Sequence, residues 1–309
     1  MAEVMLFGEP MVMFVAKTEE PLEDVEEYTR FLAGAEVNVA IGLTRLGHKT
    51  AYCTKLGADP FGRYIEKKLK SEGIEAQVSY DPDHWTGFQL KNRVSEGDPE
   101  VVYFRKNSAA SRMNETDVDS LDFTGAKILH VTGIPPALSQ SCRNATFHLI
   151  EVARAHNLLI SFDPNLRPSL WESEEAMIRT INELAAMSDI VLPGAGEGKV
   201  LMGSDNPETI ARFYRSIGVD TVIVKDGSRG AFVSSSHGEK HYPGFRVPKV
   251  VDTVGAGDGF AVGILSSILE QLSLEETVRR GNAIGAMQVS VRSDNEGLPT
   301  REELKAFMG

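Results

Sequence analysis

Two cysteines, Cys53 and Cys142, are all that the 309 residues contain. They are too few for a disulfide framework or a cysteine-rich zinc site, and a reducing cytoplasm is the expected setting. No apolar run approaches the roughly 20 residues that span a bilayer. The opening MAEVMLFGEP carries no basic stretch, its first lysine being Lys17, so no signal peptide is expected. Positive charge is also short: 32 Lys and Arg stand against 44 Asp and Glu, a formal net charge of −12. That balance argues against nucleic acid or an anionic membrane surface as the main partner. It leaves a small anionic substrate open, because a few local arginines make a positive pocket in an acidic protein. Repeats with a period of roughly 20–50 residues, low-complexity tracts and long linkers are missing too. What is present is ordinary for a globular chain, 42% hydrophobic and 25% charged, and long enough to bury a full core without staples.

Short apolar runs alternate with helical patterns along most of the length. Strands are expected at Val4–Phe7, Met11–Ala16, Thr50–Lys55, Lys127–Thr132, Leu158–Asp163, Ile190–Leu192 and Val222–Lys225. Helices are expected at Glu36–Leu46, Pro60–Ser71, Gln140–His156, Glu174–Met187, Pro207–Ile217, Gly257–Gln271 and Leu274–Arg292. Such alternation calls for an α/β fold, a mostly parallel sheet with helices on both faces. Two places break the rhythm. Thr86–Lys106 reads as two alternating strands around a Ser/Gly/Asp/Pro turn, a flap lying over the main sheet. Ala231–Tyr242 reads as a hairpin, and the acidic run Glu19–Glu27 as a solvated loop or helix start.

The strongest local signal is DTVGAGDGF, Asp252–Phe260, followed by an amphipathic run. Glycines there let the backbone approach a ligand, and the helix N-terminus offers free N–H donors and the positive dipole end, an anion or phosphate site. Asp258 alone could be no more than an N-cap. LPGAGEGKVLMG, Leu192–Gly203, fails as a Walker-A loop: the spacing is one short and Val200 replaces the Mg²⁺-binding hydroxyl. HGEKH, His237–His241, has two histidines four apart but a misplaced Glu239 and turn-forming neighbours, so no zinc site is expected.

AGAEVNVAIGLTRLG (Ala33–Gly47) and DTVGAGDGFAVG (Asp252–Gly263), about 220 residues apart, resemble the two signature regions of the ribokinase-like (PfkB) carbohydrate kinases. The resemblance runs from GEP at Gly8–Pro10 to the terminal helix. It implies one kinase domain over 1–309, a three-layer α/β/α fold with a mostly parallel central sheet and a small β flap built from about 10–16 and 86–106. It implies ATP and Mg²⁺ as cofactors, with a monovalent cation (K⁺) near Asp252 left open. Gly255, Ala256 and Gly257 would form an anion hole, and Asp258 would take the proton from the attacking sugar hydroxyl. Phosphoryl transfer is mostly positioning and charge stabilisation, which suits backbone donors beside a carboxylate. An aspartate at a helix N-terminus is expected to be well ionised, hence a weak but aligned base. Gly34 would let the sugar lie against the backbone, and Asn38, one helical turn on, would bond hydroxyls. Glu197 corresponds to a glutamate that organises the Mg²⁺–phosphate shell through water, although Gly194 stands where that element has Asn. Asn165, and KDGSRG with Lys225, Gly227 and Gly230, would face the nucleotide, and Asn282 its adenine; a plain turn and a packed helix asparagine are the bland alternatives.

Within that family FDPNLRPSLW (Phe162–Trp171), VVYFRKNSAAS (Val101–Ser111) and SDNEG (Ser293–Gly297) are most similar to 2-keto-3-deoxygluconate kinases. The reaction implied is ATP-dependent phosphorylation of 2-keto-3-deoxygluconate to its 6-phosphate. Tyr103 and Gln89 on the flap would line the sugar, Gln89 standing where a tyrosine is common. Asp294 would touch a sugar hydroxyl. Arg105 and Arg167 suit a carboxylate through bidentate hydrogen bonds, with a structural ion pair as the competing explanation for either. A fructokinase or other neutral ketose or pentose kinase is the nearest alternative; a silent sugar- or nucleotide-binding sensor is more remote. Partners are therefore the sugar or sugar acid and ATP, with a homodimer formed by flap pairing allowed by the exposed flap strands.

Overall fold

All four residues of β1 (Val4–Phe7) are buried. Val4 and Leu6 pack into one hydrophobic cluster and Met5 and Phe7 into another. A strand buried on both faces must lie inside a sheet covered by helices on both sides, and the computed structural model has this form. The structure describes residues 1–94, 99–291 and 294–309. The centre of the expected flap turn (95–98), and Arg292 and Ser293 of the expected helix end and SDNEG element, lie outside the described residues.

The strands continue as β2 (Met11–Ala16), β3 (Tyr28–Ala33), β4 (Thr50–Gly57), β5 (Glu75–Asp81), β6 (Phe88–Lys91), β7 (Val101–Phe104), β8 (Ile128–Thr132), β9 (Leu159–Asp163), β10 (Ile190–Val191), β11 (Thr221–Lys225), β12 (Gly230–Ser235) and β13 (Gly238–Pro243). The main sheet has the order β13-β12-β11-β10-β9-β8-β1-β4-β5, and a smaller sheet the order β3-β2-β6-β7. Neighbours from β11 through β5 are parallel, and β12 and β13 add an antiparallel edge. The HGEKH stretch lies in this edge hairpin.

The helices are α1 (Ala35–Arg45), α2 (Pro60–Ser71), α3 (Glu115–Asp119), α4 (Pro135–Leu138), α5 (Gln140–Ala155), α6 (Glu174–Ala186), α7 (Ala195–Met202), α8 (Pro207–Ser216), α9 (Ala256–Leu269), α10 (Leu274–Gln288) and α11 (Arg301–Met308). Side chains of α5, α6 and α8 fill the core on one face of the sheet, and those of α1, α2, α9 and α10 fill the other. Most starts are sealed by a side chain, as where Ser139 accepts from Cys142 N and Ser173 from Ala176 N, satisfying an end donor. Helices α1 and α9 begin instead at Gly34 (φ 140°) and Gly255 (φ 77°), with no side-chain cap. Their first N–H groups lack a capping side chain, and that of Ala256 reaches the Thr253 carbonyl only at 3.4 Å.

The flap differs from expectation by one strand. β3, antiparallel to β2, follows the acidic run, which is an exposed loop. Its YTRFLA text hides it, because only its last two residues are fully buried. β5 was likewise unmarked: EAQVSYD sits at the sheet edge with no fully buried residue.

Helix α9 packs closely on α10 where Gly263 meets Gly281. A Cβ on Gly263 would stand 2.5 Å from the Gly281 Cα and backbone N, atoms that cannot turn aside. We expect Gly263→Ala to cost about 1–3 kcal/mol, as overpacking does. The check is urea unfolding, where the midpoint should fall at unchanged m-value; an unaltered midpoint would mean that the two helices are not held at this distance.

Candidate active site

In open α/β sheets ligands bind beyond the carboxyl ends of the strands, where β9 ends on Asp163 and β11 on Lys225. A cavity of 410 Å³ opens there between the flap and the main sheet. It gathers residues from many segments, among them Gln89, Lys91, Tyr103 and Arg105 of the flap, Gly34 and Asn38 at the start of α1, Asn165 and Arg167 after β9, Glu197, Lys225, then Gly255, Gly257 and Asp258, and Asp294. A second cavity of 310 Å³ shares Lys225, Thr253 and Gly257 with it and continues past Gly227, Gly230, Ala256 and Asn282. Phe245, Val247, Val250 and Val289 make much of its wall apolar, as a flat ring system requires. The Gly255–Gly257 turn thus separates a polar chamber from a largely apolar groove.

Asp258 is 8% exposed, in the first turn of α9. Its Oδ2 accepts from Asn38 Nδ2 at 2.8 Å and its Oδ1 from Asn165 Nδ2 at 3.4 Å. Burial raises its pKa to about 7, against the Asn38 hydrogen bond, which lowers it; the nearby Asp163 adds to the rise and Arg167 opposes it. The expectation of a well-ionised carboxylate is therefore corrected: loss of water outweighs the helix dipole. The structure also uses Asn38 differently from expectation. Its amide donates to Asp258, and its Oδ1 accepts from Asn295 Nδ2 at 3.3 Å, so it orients the carboxylate. Asn165, expected on the nucleotide side, lies in the larger cavity beside Asp258, in a left-handed conformation with φ 40°.

Lys225 Nζ stands 2.6 Å from Asp163 Oδ2 and close under the turn, 3.4 Å from where a Cβ on Gly257 would be. Burial opposes its charge, but Asp163 and Glu197 raise its pKa above the ordinary lysine value. A fixed ammonium beside an uncapped helix N-terminus favours a negatively charged group there. Glu197 is pushed up by burial, against the pull of Lys225. Its Oε1 accepts from Leu166 N at 2.8 Å and its Oε2 from Gly194 N at 2.7 Å. Each oxygen keeps a second lone pair, so holding a hydrated Mg²⁺ fits this residue. Among the described residues no group of three or more His, Cys, Asp or Glu is arranged to hold a metal directly. Gly194 has a local reason: a Cβ there would press to 3.2 Å on Glu197 Oε2.

The two arginines part company. Arg105 is 6% exposed and gives its Nε and Nη2 to Glu9 Oε2 at 2.7 and 2.6 Å. Ser108 Oγ donates to the other oxygen of Glu9. The structural ion pair is the right account of those donors, which corrects the expectation of a free guanidinium. Arg167 has no carboxylate partner among the described residues; its Nη1 donates to the Leu166 carbonyl at 2.8 Å. Both side chains line the same cavity.

Elsewhere the placements are mixed. Asn282 lines the apolar groove but spends its amide on the Tyr242 and Pro243 carbonyls at 3.4 and 3.1 Å, corresponding to the packed helix asparagine. Gly230 (φ 108°) is needed by the fold, since a Cβ would meet the Tyr242 carbonyl at 2.1 Å; Gly227 has open space. Gly34 abuts the Glu9 carbonyl, 2.9 Å from where its Cβ would be. Gln89, 4% exposed, and Tyr103, 46% exposed, line the larger of the two cavities. Asp294 is bound to Lys91, which also contacts Asp252. The sequence did not point to Glu9, Glu36, Lys91 or Asp163; each is a single charged residue in or beside an apolar strand or helix, which is the only signal they carry.

Glu36 is 0% exposed, with Oε1 on the Thr132 hydroxyl and Oε2 without a hydrogen-bond partner among the described residues. Burial raises its pKa to about 7. The folded chain therefore keeps the Glu36 and Asp258 protons over a range, about pH 4 to 7, in which the unfolded chain has lost them. Their contribution to stability is full below that range and is lost as pH rises through it. Glu36→Gln should lessen the fall in melting temperature between about pH 5 and about pH 8 relative to the wild type. Differential scanning fluorimetry across that range checks it, and parallel curves would contradict a buried protonated Glu36.

Comparison with known proteins agrees with this arrangement. A 2-dehydro-3-deoxygluconokinase of Bacillus subtilis (strain 168) is 46% identical over 308 residues, 99% of this chain and 95% of that protein. The crystal structure of a PfkB protein from Polaromonas sp. JS666 superposes with a TM-score of 0.90 at 44% identity, covering 99% of this chain and 100% of that one. A fructokinase double mutant from Vibrio cholerae O395, in fructose, ADP and potassium ion bound form, superposes with a TM-score of 0.86 at 26% identity, covering 100% and 99%. With the pfkB family carbohydrate kinase profile matching residues 1–301, two signature helices whose N-termini face one cavity and an aspartate at the turn between two chambers, the chain belongs to the pfkB family of carbohydrate kinases.

Proposed function

We propose that this kinase transfers the γ-phosphoryl group of ATP to the terminal hydroxyl of 2-keto-3-deoxygluconate, giving the 6-phosphate and ADP. The observation that carries the choice of a sugar acid is Arg167, a guanidinium with no acidic partner among the described residues, in the cavity that holds Asp258. A neutral ketose would leave that charge desolvated without an anion, whereas a carboxylate supplies its partner. The name of the 46% identical relative, 2-dehydro-3-deoxygluconokinase, supports the same substrate.

In this reading the sugar lies between the flap and Gly34, its carboxylate on Arg167 and its hydroxyls within reach of Gln89, Tyr103 and Asp294. The terminal hydroxyl faces Asp258, which accepts its proton as the oxygen attacks phosphorus and ADP departs. The N–H groups of Gly255 and Gly257, that of Ala256, which reaches the Thr253 carbonyl only at 3.4 Å, and the ammonium of Lys225 stabilise the charge on the transferring group. Gly227, Gly230 and Asn282 border the nucleotide base and ribose. Mg²⁺, held through water by Glu197, would neutralise the phosphate oxygens. The chain would act as one kinase domain over 1–309 in a cytoplasmic setting, which suits two buried, unbonded cysteines. Among the described residues no helix is long and apolar enough to cross a membrane. The exposed Tyr103 and Phe104 on the flap edge strand are where a homodimer would pair.

The test is kcat/KM for 2-keto-3-deoxygluconate and for fructose. The wild type should favour the acid, and Arg167→Gln should reduce turnover of the acid by about 10²-fold while affecting fructose far less. Arg105, already held by Glu9, should separate the two sugars less. Fructose used as well as the acid would replace this proposal with a ketose kinase. Asp258→Asn should lower kcat by about 10²-fold or more. In the wild type the rate should rise with pH toward a plateau above about 7, where Asp258 is ionised; a pH-independent rate would argue against its role as base.

A further inference from the structure

Lys91 takes no part in the reaction as described, yet it is one of the most constrained cations in the molecule. It is the last residue of β6 in the flap and is 4% exposed. Its ammonium crosses to two carboxylates from distant parts of the chain, Asp252 Oδ2 at 2.8 Å and Asp294 Oδ1 at 3.5 Å. Burial opposes its charge, but Asp294 and Asp252 together raise its pKa above the ordinary lysine value.

Both partners flank the turn that carries the anion hole. Asp252 Oδ1 accepts from Val254 N at 3.0 Å, an Asx turn that leads directly into Gly255. On the other side the Asp294 carbonyl packs so closely on Gly255 that a Cβ there would lie 2.5 Å from it. Gly255 has φ 77°, and its conformation sets the direction of the N–H groups that follow. Without a cation the two buried carboxylates would repel one another and push this turn open.

A monovalent metal ion near Asp252 is one way to supply that cation. The residues present do not fit it: the Lys91 ammonium already fills that place, 2.8 Å from Asp252 Oδ2 and 3.5 Å from Asp294 Oδ1, and a second cation there would meet its charge. We propose that Lys91 supplies, on a tether from the flap, the positive charge that a bound monovalent cation would otherwise supply beside the anion hole. Resting on the kinase reading above, Lys91 is then a positioning residue: it touches neither reacting atom and acts through Asp252, Asp294 and Gly255. A tethered ammonium needs no free ion, and it ties the flap over the sugar to the turn over the phosphate.

The experiment compares the wild type with Lys91→Met, Lys91→Gln and Lys91→Arg in buffers whose only monovalent cation is tetramethylammonium, K⁺ or NH4⁺. The wild type and Lys91→Arg should turn over equally in all three, within about twofold. Lys91→Met and Lys91→Gln should lose about tenfold or more in kcat in tetramethylammonium, the cost of a displaced anion hole. K⁺ or NH4⁺ should restore most of it, with KM for the sugar acid little changed. Melting temperature gives a readout independent of turnover: K⁺ and NH4⁺ should raise it in the Met and Gln variants and not in the wild type. Lys91→Gln keeps hydrogen-bond donors, so it guards against a Met variant that fails to fold.

A wild type that itself requires K⁺ would overturn the proposal. So would variants that are fully active, or equally impaired in every salt with no melting response, or impaired only in KM for the sugar acid, which would make Lys91 a substrate ligand. A wild type inactive on 2-keto-3-deoxygluconate in every salt would count against the proposed substrate instead, and the melting measurements would still decide the role of Lys91.

Discussion

The hydrogen bond from Asn38 Nδ2 to Asp258 Oδ2, 2.8 Å long and spanning 220 residues of sequence, is the constraint on which the site depends. It joins α1 to α9, two helices that start at the cavity from glycines in left-handed conformations with no side-chain cap. The helices can meet because Gly42 of α1 receives Val262 of α9, where a Cβ would stand 2.5 Å from the valine Cγ2. Close helix packing therefore sets the direction of a carboxylate. The parallel strands supply the rest from their carboxyl ends, Asp163 from β9 and Lys225 from β11. Chemistry assembled in this way is as rigid as the core beneath it.

Burial gives that carboxylate its character. In water an aspartate is too acidic to accept much of a hydroxyl proton, and a helix N-terminus would make it more so. Burial beside Asn38 and Asn165 instead pushes the Asp258 carboxyl up to about 7, which suits the proposed role of a general base. The same desolvation would be ruinous for an unpaired cation, so the buried lysines come with acids: Lys225 with Asp163, Lys91 with Asp252 and Asp294, and likewise Arg105 with Glu9. Arg167 breaks that pattern: among the described residues it has no carboxylate in ion-pair contact, and the carboxylate of the proposed sugar acid would supply one.

The fold was legible wherever a strand is buried on both faces. β1, β8, β9 and β11 read as short apolar runs, and their alternation with helices implied a parallel sheet. β3 and β5 were not legible because half their residues face solvent or an edge, where no pattern is enforced. The signature glycines and Asp258 could be read because turns and helix starts need particular residue types. Side-chain partners could not. Arg105 meets a glutamate 96 residues away, and no local spacing distinguishes an arginine awaiting a ligand from one already paired. The protonation of Asp258 escaped for the same reason: its cause is enclosure by segments that only the tertiary structure brings together.

Phosphorus NMR of a reaction with ATP, Mg²⁺ and 2-keto-3-deoxygluconate follows the proposed transfer of a phosphoryl group from ATP to the terminal hydroxyl of a sugar acid held between the flap and α1. A new phosphomonoester resonance, split by the two protons of the adjoining methylene carbon, should grow in step with ADP. Release of inorganic phosphate alone, or a phosphoester on a secondary carbon, would contradict it.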